Sequence, residues 1–464
     1  MFKRAIAPIP FAVALLLVAS PFIGSVGATA IANQQAAAAP AGASQAVQKI
    51  VLKTGMANGK MVYLDDKGNV NPVLRGKVGD TIELTVASGE GAEHDIVFPE
   101  LGVQSPKFTG KGGPVKVTLK LTQPGRFSYY CSVPGHRQIG MEGQLEVTGP
   151  ADASAAAKPV AVKTAAVLGA AAVMPIAPAA ANAVSVAQDP NAVPQPTGAR
   201  APQLVKYAIE TVELEGKLDD GTTFTYWTFG RKVPGPMLRV KKGDTVEIKL
   251  TNNPNSKAMH SIDLHAVTGG LGGGEHTQVA PGETKTITFK ALNPGLYVYH
   301  CATPSVAHHI SAGMYGLILV EPEKGLSKVD REFYVMQGDL YTDHAFGTRG
   351  HHQYSPEKAA DELPTYYLFN GAVGALTKEH KMTARVGETV RIYFGVGGPN
   401  KISSLHLIGE IFDRVYSEGA TNAVKQNVQT TLVPAGGATI AEFKVQYPGN
   451  YLLVDHALSR VGKG

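Results

Sequence analysis

Cys131 and Cys301 are the chain's two cysteines, and each opens a short run of metal-binding residue types. After Cys131 come His136 and Met141, and His94 lies upstream beside what reads as the opposing strand. A thiolate, two imidazoles and a thioether are the donor set of a blue-copper (type 1) site, with Cys and His in a trigonal plane and a weak axial Met. The soft thiolate favours Cu(I) and the imidazoles suit Cu(II), so such a site exchanges electrons. The order returns further along as His260, Cys301, His309 and Met314. His308 is an alternative to His309. His309 is preferred because its spacing of five to Met314 repeats that from His136 to Met141. The flanking residues argue against pairing the two cysteines in a disulfide.

The second set carries something the first lacks. His300 immediately precedes Cys301, and adjacent residues of a strand point to opposite faces. If Cys301 faces an inner copper, His300 faces outward. His260 and His265 are also separated so that one serves each side. Two outward imidazoles then define a second metal position with few protein ligands, leaving a coordination place open for chemistry.

These residues need a scaffold of strands. A threefold pattern runs through the chain. Gly79-Asp80-Thr81, Gly243-Asp244-Thr245 and Gly387-Glu388-Thr389 each lead an alternating apolar–polar run. His94, His260 and His406 follow them, and Pro124-Gly125, Pro294-Gly295 and Pro448-Gly449 open later strands. Repeats on this scale mean related domains in series. Period-two alternation bounded by Gly and Pro means half-buried antiparallel strands. The fold class expected is all-β: three tandem Greek-key β-sandwiches, cupredoxin-like in that their ligand loops resemble those of blue-copper proteins. At 464 residues the chain is too long for one core. The expected divisions are a signal peptide over 1–30, a cupredoxin domain over 47–149, an exposed Ala/Pro-rich linker over 150–203, and further sandwiches over 204–322 and 323–464. One short helix is expected at Pro356–Glu362.

The signal is read from the basic start Met1-Phe2-Lys3-Arg4, an apolar run and the small-residue site Ala28-Thr29-Ala30. It predicts export to the periplasm. The net charge of +5 comes without a block of Lys or Arg, which argues against nucleic acid as a partner. His276, His344, His351, His352 and His380 have no convergent partners in the pattern and read as solvated loop residues.

The segments His260-Ser-Ile-Asp263-Leu-His265, His300-Cys301-Ala-Thr-Pro, Gly313-Met314-Tyr-Gly and Leu405-His406-Leu-Ile408-Gly resemble copper-containing nitrite reductases. The resemblance covers residues 204–464, and residues 47–148 look like a fused cupredoxin. It implies a type 1 copper on His260, Cys301, His309 and Met314. It also implies a type 2 copper on His265, His300 and His456, with the last supplied by a neighbouring subunit of a homotrimer. With the fused domain's type 1 copper on His94, Cys131, His136 and Met141, each subunit would hold two type 1 coppers and one type 2. Asp263 and His406 would be the acid–base residues and Ile408 would line the substrate pocket. The implied reaction is one-electron reduction of nitrite to nitric oxide and water. The electrons would come from an external donor such as a cytochrome c or a small blue-copper protein. Members of the family continue through a further strand beyond the position of Gly464, so an unpaired sheet edge is expected there. The alternative from a different class is a blue-copper electron carrier without catalysis. A multicopper oxidase would need several His-x-His pairs, and the sequence has none.

Overall fold

The structure is a computed structural model, and it describes residues 47–149 except 58, 59, 134, 135 and 138, and residues 178–464 except 181. The expected signal peptide and most of the expected linker lie outside the described residues. Among the described residues the chain is built almost wholly of β-strands, in six sheets.

The first two sheets enclose one core. Thr81–Ala87 pairs in parallel with Val47–Ala57 and antiparallel with Val115–Lys120. Its alternation is realised directly: Ile82, Leu84 and Val86 are buried, while the residues between them are not. The facing sheet carries Gly125–Tyr130 between Glu142–Thr148 and Val97–Phe98. Phe98, Tyr129 and Leu145 meet Leu52, Ile82 and Leu84 in the middle.

The next two sheets repeat the plan. Thr245–Asn252 lies between Thr284–Lys290 and Leu204–Asp219, and Gly295–His300 lies between Tyr315–Glu321 and the short strand Asp263–Leu264. The last pair places Thr389–Gly398 between Arg331–Leu340 and Ala438–Lys444. Its partner sheet is Thr430–Val433, Ser403–Ile408 and Leu452–Asp455, the last at the sheet's edge. The helix expected near residue 356 is present as Pro356–Ala360, with Ser355 accepting the Lys358 amide as its N-cap.

The Gly-acid-Thr repeat proves to be one turn used three times. Each glycine has a positive φ (97°, 89° and 95° for Gly79, Gly243 and Gly387), which costs a residue with a side chain but not glycine. Each acid accepts the amide three residues back: Asp80 from Lys77 at 2.8 Å, Asp244 from Lys241 at 2.7 Å and Glu388 from Arg385 at 2.8 Å.

Tyr315–Glu321 is buried along its whole length because it is covered on both faces. One apolar cluster joins Tyr315, Leu317, Tyr334, Met336, Tyr393 and Ile440, so the middle and last sheet pairs share a core. Gly397 makes room for this: a Cβ there would sit 2.5 Å from the Tyr315 ring. A buried ion network reinforces the seam. Arg239 bonds Glu321 and Glu332 at 2.6 and 2.7 Å, and Arg391 bonds Glu332 and Glu442 at 2.9 and 2.6 Å.

Two expectations need correction. The exposed linker does not run to residue 203. Ser185 and Ala187 bridge to Lys217 and Val233, Val186 is fully buried, Asn370 bonds the Gln188 carbonyl, and Arg200 forks onto Asp244 at 2.6 and 2.7 Å. The Ala/Pro-rich composition hid a strap whose backbone groups are satisfied by distant partners. Likewise His351 and His352 are not solvated loop residues. They form the strand Gly350–His352 beside Thr222–Phe224, and His352 is buried between Thr342 and the Thr348 carbonyl.

Candidate metal centres

Among the described residues three clusters of potential ligands stand out, each with ligand atoms within 4.8 Å of one another: His94, Cys131 and His136; His260, Cys301 and His309; Asp263, His265 and His300.

In the first cluster the Cys131 Sγ lies 3.8 Å from His94 Nδ1 and 3.4 Å from His136 Nδ1. In the second, Cys301 Sγ lies 3.2 Å from His309 Nδ1, and His260 Nδ1 lies 3.3 Å from His309 Nδ1. The loops that carry them are held alike. The Cys131 amide donates to Met141 O at 3.2 Å, and the Met141 amide to His136 O at 3.0 Å. The Cys301 amide donates to Met314 O at 3.1 Å, and the Met314 amide to His309 O at 3.1 Å. His309 therefore occupies the place of His136, and both methionines are fully buried beside their cysteines. His308 turns away from Cys301, stacked between Trp227 and Tyr354 with ring centroids 4.1 and 3.9 Å off.

Metal binding needs neutral imidazole and thiolate, and the protein environment favours these forms at His309, His136 and Cys301 but not at Cys131. Burial pushes His309 down to about 3. Burial also lowers His136, with smaller contributions from His94 and from His309 of the second cluster. Burial alone would raise Cys301, but contacts with His260 and Thr303 outweigh it and hold the thiol below its ordinary value. The Ser261 amide points at this sulfur from 3.3 Å. At Cys131 the bonds that would lower the thiol are outweighed, and burial pushes it up to about 12. Without a metal it is a thiol.

Two carboxylates behind these sites were not foreseen from the sequence. Glu90 bonds His94 Nε2. Glu213 Oε1 lies 3.1 Å from His260 Nε2 and also accepts the amides of Lys257 and Ala258 at 3.0 and 2.7 Å. Burial would raise Glu213, but His260 and these amides hold it below the usual carboxylate range. A carboxylate on the outer nitrogen fixes the ring so that Nδ1 faces inward. Glu90 lies four residues before His94 and had a local signal; Glu213 lies far from His260 in sequence and had none.

The third cluster sits on the opposite side of the same strand. His300 pairs across the sheet with Asp263, while Cys301 is buried on the other face. His265 Nε2 and His300 Nε2 are 3.1 Å apart, with rings nearly perpendicular. The His300 Nδ1–H donates to the Cys301 carbonyl at 3.0 Å, so Nε2 is the ring nitrogen turned toward His265. Burial and then the neighbouring His300 lower His265. Two imidazoles and a carboxylate converge at a partly open surface.

His456 and His406 are not in this cluster. They pair with each other, ring centroids 5.4 Å apart, on the sheet of the last sandwich. His406 Nδ1 donates to the Gln429 carbonyl at 2.6 Å, and the His456 amide bonds Ser404 O at 2.8 Å. Ile408 is exposed on the same strand as His406. Within one chain, then, the sequence-derived site residues fall into two groups: Asp263, His265 and His300 on one side, His406, Ile408 and His456 on the other.

The donor sets therefore fit copper: soft sulfur with two imidazoles in two clusters, and imidazoles alone facing an open position in the third.

Comparison with known proteins agrees. Residues 51–148 match the model of copper binding proteins of the plastocyanin/azurin family, and residues 211–325 match a multicopper oxidase model. A copper-containing nitrite reductase of Neisseria meningitidis serogroup A is 54% identical over 259 residues, 56% of this chain and 67% of that protein. One from Alcaligenes xylosoxydans xylosoxydans is 37% identical and is covered over 84% of its length. The solved copper nitrite reductase from Nitrosomonas europaea superposes with a TM-score of 0.52 at 36% identity, covering 56% of this chain and 91% of that one. With its ligand clusters and this coverage, the chain belongs to the copper-containing nitrite reductases.

Proposed function

We propose that this chain reduces nitrite to nitric oxide: one electron and two protons join nitrite, and one water leaves. The carrying observation is the dipeptide His300-Cys301. It puts one side chain in a buried thiolate cluster and the next in an open imidazole cluster, so a peptide bond joins an electron store to a reaction site.

Copper would be held by His260, Cys301, His309 and Met314 on the inner side. On the outer side it would be held by His265, His300 and the partner subunit's His456. Bound there, it supplies a Lewis acid for a nitrite oxygen and the single electron. The chain's residues do the rest. Asp263, opposite His300 in the sheet, would pass a proton to the bound anion. His406, its Nδ1 committed to Gln429 O, keeps Nε2 for the second proton. The exposed Ile408 side chain would wall the pocket.

The reading includes a homotrimer. His265 and His456 are both exposed in the single chain, and each lies in a half-site that lacks the other's ligands. A plain electron carrier would have no use for the Asp263, His265 and His300 cluster. The reading also includes export to the periplasm, an external donor such as a cytochrome c or small blue-copper protein, and a division into sandwiches over 47–149, 204–322 and 323–464, with the strap at 182–203 packed against the second and third.

The test is nitric oxide release by the copper-loaded protein given nitrite and a reductant. Release at a rate that tracks copper content is the expected result. A fully loaded protein that consumes no nitrite would refute the assignment.

A further inference from the structure

The first sandwich does more than hang from a tether. Its Glu93 amide donates to the Lys257 carbonyl at 2.8 Å, Lys111 Nζ bonds the Pro254 carbonyl, and Gly91 packs against Ala280 and Pro281. Glu93 is the residue before His94. Lys257 lies in the loop that leads to His260.

These contacts join two ligand sets. The peptide unit between Lys257 and Ala258 accepts Glu93 N–H through its carbonyl. Through its own N–H it donates to Glu213 Oε1 at 2.7 Å. The same oxygen lies 3.1 Å from His260 Nε2. Three hydrogen bonds and one planar peptide unit thus run from the backbone of Glu93, the neighbour of His94, to the ring of His260. Glu213 would be needed for His260 orientation alone, but nothing in that role requires its second contact, through Lys257–Ala258, to reach another domain.

We propose that the face of the 47–149 sandwich bearing Gly91, Glu93 and Lys111 is a built-in docking surface for the middle sandwich, and that Lys257–Ala258 with Glu213 is the bridge by which electrons pass from the His94 site to the His260 site. The inference rests on the reading of both thiolate clusters as copper sites. Each transfer would move one electron from the copper that His94, Cys131 and His136 would hold to the copper that His260, Cys301 and His309 would hold. No bond or proton changes. External donors would then deliver to the first sandwich, with the middle one served from within.

Two variants test the bridge in the full chain. Glu93→Pro removes the donor N–H, and Ala280→Arg wedges the surfaces apart without touching a ligand. With the Cys131-based site reduced by a flash-generated reductant, the electron should reach the Cys301-based site more slowly in either variant, with the docked arrangement disfavoured about fivefold by the loss of one net hydrogen bond. A readout independent of copper is amide hydrogen exchange in the metal-free chain. The Glu93 amide should be protected in the native chain and exposed in Ala280→Arg. Unprotected Glu93 in the native chain, or an unchanged transfer rate in Ala280→Arg, would overturn the docking. Cys131→Ala and Cys301→Ala separate this from failure of the underlying reading: each must remove one blue band and spare the other. If neither band exists, the copper assignment fails before the bridge is in question.

Discussion

Replacing Gly272 by alanine should damage the reaction site without touching a ligand. Gly272 has φ +60° and ψ 16° in the loop that lies over Asp263. A Cβ there would stand 2.0 Å from Asp263 Oδ1 and 2.9 Å from Leu264 O. An ordinary carbon–oxygen contact is about 3.3 Å, so the carboxylate must retreat by about 1 Å or more. A misplacement of that size can cost about a hundredfold in rate. The backbone cost is separate: an L-residue in the left-handed region loses about 1–2 kcal/mol. Gly102→Ala is the control, since Gly102 has φ +64° and ψ 27° with no atom within 4 Å of its Cβ position. The assay is steady-state nitric oxide production, read beside the blue absorption band and the melting temperature. Gly272→Ala should retain its colour and lose turnover, while Gly102→Ala should lose similar stability and keep turnover. A folded, coloured Gly272→Ala with native turnover would refute the role given to Asp263.

Other outcomes follow from the same geometry. His300→Asn should abolish nitrite turnover while the Cys301-based colour persists; loss of that colour would contradict the separation of the two faces. Glu213→Ala should orphan two amides and His260. It should cost about 3 kcal/mol in denaturant unfolding and about 10–100-fold in copper affinity of the middle site, with Glu213→Gln recovering much of both. Arg200→Met should cost about 2 kcal/mol at neutral pH, because Arg200 and backbone amides hold the otherwise buried Asp244 below its usual range. A depressed carboxylate stabilises the fold above its unfolded pKa of about 3.9 and ceases to as pH falls through its folded value. The difference between native and Arg200→Met should therefore close in acid, and a gap that persists there would contradict the pairing.

How much of this could be read from residues alone depended on range. The ligand loops were legible because Cys, His and Met follow one another within a few residues, and one strand's alternation separates His300 from Cys301. The Gly-acid-Thr turns were legible because turn, cap and strand start are contiguous. Glu213 was not legible: its bond to His260 exists only because Leu204–Asp219 lies beside Thr245–Asn252 in the sheet. The strap at 182–203 failed for the same reason, since its partners Lys217, Val233, Asp244 and Asn370 are all remote. The choice between His308 and His309 rested on a spacing argument, and the matching Cys–Met–His backbone bonds supply its physical basis.

Copper quantification joined to electron paramagnetic resonance tests the central claim most directly. Three clusters predict three coppers per chain, two with the narrow hyperfine splitting of thiolate ligation and one with the wider splitting of imidazole ligation. The wide signal should disappear in His300→Asn. A saturated sample with only the narrow signals would contradict the account.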